Sequence, residues 1–124
     1  MKNIYLMLCI VLLLSSSCKK NENTSKEIYG TWRLTEALAD IGNGTGKYQT
    51  VTGKPKYLIL SRSGEVSGEA INGLVSFKVL DSVKMETYSK TYNQTVVYRY
   101  TLSGNSLTLN PPCIEGCGFR FVRK

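Results

Sequence analysis

The residues able to do chemistry are few in this chain. Near its C-terminus, "PPCIEGCGFRF" sets Cys113 and Cys117 four positions apart around Glu115 and Gly116. A pair so spaced can ligate a metal, run thiol–disulfide exchange or close a disulfide. A structural zinc site takes four ligands, mostly Cys and His. Here two thiols stand with Glu115 as a weak third, and the chain has no histidine. A thioredoxin-type pair has two intervening residues and sits at a helix start; this pair has three. Without histidine, Ser-His and Cys-His nucleophiles are also unavailable. Paired carboxylates must flank a substrate to act as acid and base, and the spacing of the nine acids pairs none of them. The loop "DIGNGTG" offers oxygens at Asp40, Asn43 and Thr45. It lacks the terminal glutamate and second carboxylate of a calcium loop. The expectation is therefore no catalytic residue, no cofactor and no metal site: a protein that is not an enzyme. Tyrosines are the other resource. Tyr98 and Tyr100 alternate with Val97 and Arg99 and so share one face. Inward phenols either line a pocket or fill a narrow interior.

The compartment bears on the choice among the cysteine chemistries. "MKN" is a short basic start, Ile4 to Leu14 is an unbroken apolar run, and Ser15 to Ser17 lead into Cys18. These are the three regions of a secretory signal, and the run is short of the roughly 20 residues of a spanning helix. The cysteine at its end resembles a bacterial lipoprotein signal of the looser Bacteroidetes type, which often reads "SSCKK". The resemblance implies cleavage before Cys18 and acylation (palmitoylation) of its thiol, anchoring the protein to a membrane through lipid. Lys19 after the cysteine, rather than Asp, implies the outer membrane within the cell envelope. Residues 1–17 are thus expected to be the signal peptide and 18–27 a lipidated cysteine with a polar tether, leaving 28–124 as one domain. The formal charge of +7 falls to +6 once Lys2 is removed. That balance would suit nucleic acid, but an exported protein rarely meets it, and acidic lipid headgroups or cell-surface glycans would fit better; the positive residues are scattered, with no run beyond Lys19-Lys20, and read first as solvated surface charge. An oxidising envelope favours a Cys113–Cys117 disulfide over free thiols, metal binding or redox catalysis.

The elements that must position these residues alternate with period two, and turn signals recur every eight to twelve residues. Eight strands are predicted over 30–38, 56–61, 65–70, 73–80, 83–90, 94–102, 106–110 and 118–123, with a long loop over 39–55. Trp32, Leu34 and Leu38 are expected on one face of the first strand. Val75, Phe77 and Val79 should share a face of the fourth, and Val96, Tyr98, Tyr100 and Leu102 a face of the sixth. Short connections make sequential neighbours antiparallel. Closing the last strand on the first would remove both edges. The predicted fold is all-β, an eight-stranded antiparallel up-and-down barrel, with a β-sandwich as the alternative.

"GTW" at Gly30 to Trp32 matches the G-x-W of lipocalins. "GTWRLTEALADIGNGTGKYQTV" with "CIEGCGFRFVRK" resembles the lipocalin-like lipoproteins of Bacteroidetes-type bacteria. The resemblance implies a lipocalin-like barrel, with Trp32 plugging its closed end under an arginine of the last strand. Antiparallel pairing and side-chain parity favour Arg123 over Arg120 for that place. Loops 39–55, 71–72, 91–93 and 111–117 then fall at the open rim. A small apolar ligand, or an envelope component, would enter past Tyr48, Tyr92 and the cysteine loop toward Tyr98 and Tyr100. The alternative is a solidly packed barrel serving as a structural or protein-interaction module.

Overall fold

A computed structural model describes residues 27–40, 42–114 and 116–124. The expected signal peptide, Cys18 and the tether up to residue 26 lie outside the described residues. The described chain is all strand and turn: β1 (Gly30–Ala39), β2 (Gln49–Thr50), β3 (Tyr57–Leu60), β4 (Val66–Ser67), β5 (Leu74–Val79), β6 (Lys84–Ser89), β7 (Gln94–Ser103), β8 (Ser106–Asn110) and β9 (Cys117–Arg123). Eight of them form the wall, in the order β4-β3-β1-β9-β8-β7-β6-β5, and every pairing is antiparallel. This is an up-and-down barrel of lipocalin-like architecture. β2 lies within the expected loop 39–55 and pairs outside that path, on β1 at Glu36↔Thr50 and Ala37↔Gln49.

The first and last long strands join as expected, from Trp32↔Arg123 to Ala39↔Cys117. The thin seam is elsewhere. β4 is two residues where six were predicted, and it meets β5 through one bridge, Glu65↔Ser76. The Phe77 N–H also donates to the Gly64 carbonyl at 2.9 Å.

Two bulges alter the expected faces, because an extra residue on one strand flips the parity beyond it. On β1 the register shifts between Leu34 and Glu36. Trp32 and Leu34 point inward, but Leu38 then falls with Glu36, opposite Gly118 and Arg120, on the outer face. On β5 the shift lies between Leu74 and Ser76. Leu74, not Val75, joins Phe77 and Val79 on the inner side, and Val75 is exposed. The β7 face follows the expectation: Tyr98 and Tyr100 are buried, with half-buried Val96 and Leu102 packed against the core.

The core is one cluster inside the barrel. Trp32, Leu58, Met85, Leu107, Leu109 and Phe121 are its fully buried large side chains. Each such burial contributes about 1.5–3 kcal/mol. Thr87 is the polar member at that depth, and its hydroxyl is not left bare: it donates to the Val96 carbonyl at 2.9 Å.

Candidate functional site

The two ends of the barrel are built differently. At one end the N-terminal segment folds across the mouth. Trp32 has no solvent exposure, and its indole N–H donates to the Ile28 carbonyl at 2.8 Å. The Arg123 guanidinium lies 4.2 Å from the Trp32 ring centroid and donates to the carbonyls of Tyr29, at 3.0 Å, and Glu27. The cation thus caps the indole face and ties 27–29 over it. Arg120 takes no part: it points outward to Glu36, 3.0 Å away. Gly30 has a close-approach reason to be glycine. Its φ is +137°, and a Cβ there would stand 3.1 Å from Arg123 Nη1.

At the opposite end a cleft of about 520 Å³ opens between the loops after β4, β6 and β8. Ile71, Leu74, Val96 and Phe119 give it apolar walls. Pro111, Pro112 and the cysteine pair close one side. Asn72, Ser89, Tyr92, Gln94 and Tyr98 bring its hydrogen-bonding groups. Cys113 and Cys117 stand at disulfide-bonding distance, with Cα atoms 5.9 Å apart, inside the range such a bond requires. A ring this small supplies only about 2 kcal/mol through loop closure, so its effect is to fix the shape of the wall. Among the described residues no group of three or more His, Cys, Asp or Glu is placed to hold a metal.

Of the four expected tyrosines the structure brings two to this cleft. Tyr98 is buried on its wall and Tyr92 is 72% exposed at its mouth. Burial first, and the neighbouring Tyr92 second, push the Tyr98 hydroxyl's pKa above its ordinary value, so it stays protonated. Tyr100 does not reach the cleft. Two residues further along β7, its hydroxyl donates to the Asp81 carbonyl at 2.7 Å, in the turn toward the closed end. Tyr48 is also elsewhere. Its ring lies 3.6 Å from the Arg120 guanidinium on the outer face of β9. It packs over Gly118, where a Cβ would come within 2.3 Å of the Tyr48 hydroxyl oxygen. The glycine at 118 thus seats Tyr48 outside the barrel.

The glycine loop adjoins the rim without lining this cleft. Asp40 is its organiser. One carboxylate oxygen accepts from the N–H groups of Gly42 at 2.8 Å, Asn43 at 3.2 Å and Gly44 at 3.2 Å, and the other from Gly46 at 3.1 Å. The Gly46 and Gly42 bonds are the main reason its pKa lies below the ordinary carboxylate value. A carboxylate ringed by N–H donors presents positive dipole ends around itself, which is the wrong surround for calcium.

Sequence reasoning missed Ser89 and Gln94. Both flank the hairpin at 90–93, and only the register of β6 against β7, Ser89↔Gln94, brings them together at the mouth. What the fold and site define is a lipocalin-like antiparallel barrel, plugged at one end and open at the other onto a cleft with no charged side chain among its described lining residues. No family model, curated protein or solved structure matches the chain.

Proposed function

We propose that the protein is an envelope lipoprotein, held to the outer membrane by acyl chains on Cys18, whose barrel binds a small apolar ligand or envelope component. The observation that carries the binding half is the cleft itself. Its volume of about 520 Å³ lies within the span of small-molecule sites, and it opens at the end away from the Trp32 plug. Its lining is largely apolar with a few hydrogen-bonding groups, the mixture such sites use to combine affinity with orientation. The anchoring half rests on the apolar run 4–14 and the Ser-Ser-Ser-Cys that follows it. The likeness to the lipocalin-like lipoproteins rests on Gly30, Trp32 and the cysteine loop, taken with the barrel.

Native mass spectrometry of protein purified from its own host tests both halves. The expected result is an N-terminus at Cys18 carrying acyl mass, and a retained small molecule whose release restores the mass of the chain. Chemical-shift mapping with that molecule should move Leu74, Tyr98 and Phe119. A ligand whose shifts cluster at Trp32 and Arg123 instead would refute the site.

The alternative is a packed interaction module, and the core below Tyr98 favours it in part. From Met85 and Leu109 to Trp32 the interior is filled. An empty preparation with no shift at the cleft would turn the reading toward that module.

A further inference from the structure

We propose that the cleft takes an uncharged amphiphile, an apolar chain or ring system ending in a hydroxyl or carbonyl, with that polar end hydrogen-bonded to the Tyr98 hydroxyl. The inference rests on the preceding reading of the cleft as a ligand site and adds the chemical class and the anchoring residue.

Charge is the first argument. Among the described residues no charged side chain lines the cleft. A carboxylate or ammonium drawn into it would leave water without meeting a counter-charge, and that is among the most unfavourable transfers a binding site can impose. A neutral polar group has no such penalty if one hydrogen bond awaits it.

One such bond waits at Tyr98. The Tyr88 and Tyr100 hydroxyls are already committed, to Asn93 Oδ1 and to the Asp81 carbonyl. Ser89 Oγ accepts from the Tyr92 N–H at 3.4 Å, and the side chains of Asn72, Tyr92 and Gln94 stand exposed at the mouth, where water serves them. The Tyr98 hydroxyl makes no hydrogen bond to a described residue, and it is not sealed from solvent: the ring is buried in the wall while the oxygen faces the open cleft. A buried phenol ordinarily finds a partner. Its raised pKa, due to burial and to Tyr92, keeps its proton and so its donor. The apolar remainder of the ligand then lies along Leu74, Val96, Phe119 and the prolines of the cysteine loop.

The test uses the mature chain with Cys18→Ser, which leaves every described residue intact. Calorimetric titrations at neutral pH compare 1-decanol, decanoate and decylammonium, with amide shifts recorded in parallel. Decanol is expected to bind with shifts at the cleft, and the two ions at least tenfold more weakly. Tyr98→Phe should weaken decanol about fivefold, the usual effect of one hydrogen bond, while the ions change little. Equal binding of all three probes at the cleft would overturn the neutral class and leave the ligand site standing. A decanol preference untouched by Tyr98→Phe would overturn the anchor. No binding by any probe, with no shift at the cleft, would overturn the ligand site and this inference together.

Discussion

Two residues show how much one side chain organises here. Arg123 joins three things: its own strand, the indole of Trp32 and the carbonyls of Tyr29 and Glu27. Arg123→Ala removes the stacking and leaves both carbonyls short of a donor. The expected loss is about 2–3 kcal/mol, from the cation–π contact and charged hydrogen bonds together. Urea unfolding followed by tryptophan emission measures it, and Arg123→Lys should recover only part, since an ammonium cannot reproduce the planar fork. Asp40 acts in the same way on the glycine loop. Its folded pKa is depressed, chiefly by the Gly46 and Gly42 N–H bonds. Its contribution to stability is therefore present above the unfolded value of about 3.9 and is lost as pH falls through the lower folded value. Stability curves of wild type and Asp40→Asn should run parallel above about pH 5 and converge below pH 4. A gap that holds constant into strong acid would show that the loop does not depend on that charge. Arg123 was readable from parity and pairing. Asp40's role was not, because its four bonds depend on loop backbone directions that no residue pattern specifies.

At the scale of elements, period-two alternation located the wall strands, and turn residues separated them. Bulges escaped it. The one hint on β1 is Glu36, a charge at the position that the Trp32–Leu34–Leu38 alternation would turn inward, and on β5 the adjacent Leu74 and Val75 leave the inner face undecided. A bulge there is set by how β1 must bend to meet β9, and β5 to meet β6, which is a property of closure and not of local sequence. The same closure leaves the β4–β5 seam with a single bridge while β1 and β9 share a long register. Hydrogen exchange should therefore find the Phe77 amide opening well before those of β1 and β9, by local separation of β4 from β5. Uniform protection around the barrel would contradict that. The cysteine loop is a second weakly coupled element. Cys113→Ser with Cys117→Ser should lower stability by no more than about 2 kcal/mol. Its larger effect should be on the amide shifts of Pro111-adjacent Asn110 and of Phe119, whose wall the loop shapes.

The whole molecule has polarity along its axis, and this gives its single tryptophan a diagnostic use. Phe119, Phe121 and Arg123 point inward at successive depths of β9. From Phe119 at the cleft to Arg123 at the plug is four residues, about 13 Å of strand. The space between is filled by Phe121 and Leu107, both essentially without exposure. A ligand in the cleft touches the first of these layers and not the last. Saturating ligand should therefore raise the unfolding midpoint, through a mass-action stabilisation of about 2.7 kcal/mol at a hundredfold excess over Kd. Trp32 emission in the folded state should stay fixed, because the indole remains dry beneath Arg123. The two readouts come from one titration: emission at 25 °C before each melt, then the midpoint. A midpoint that rises while emission stands still places the ligand at the open end. A shift in emission that tracks the midpoint would mean that the ligand enters at the plug, or that the packed layers between the ends move as one body, and either result would overturn the two-ended description.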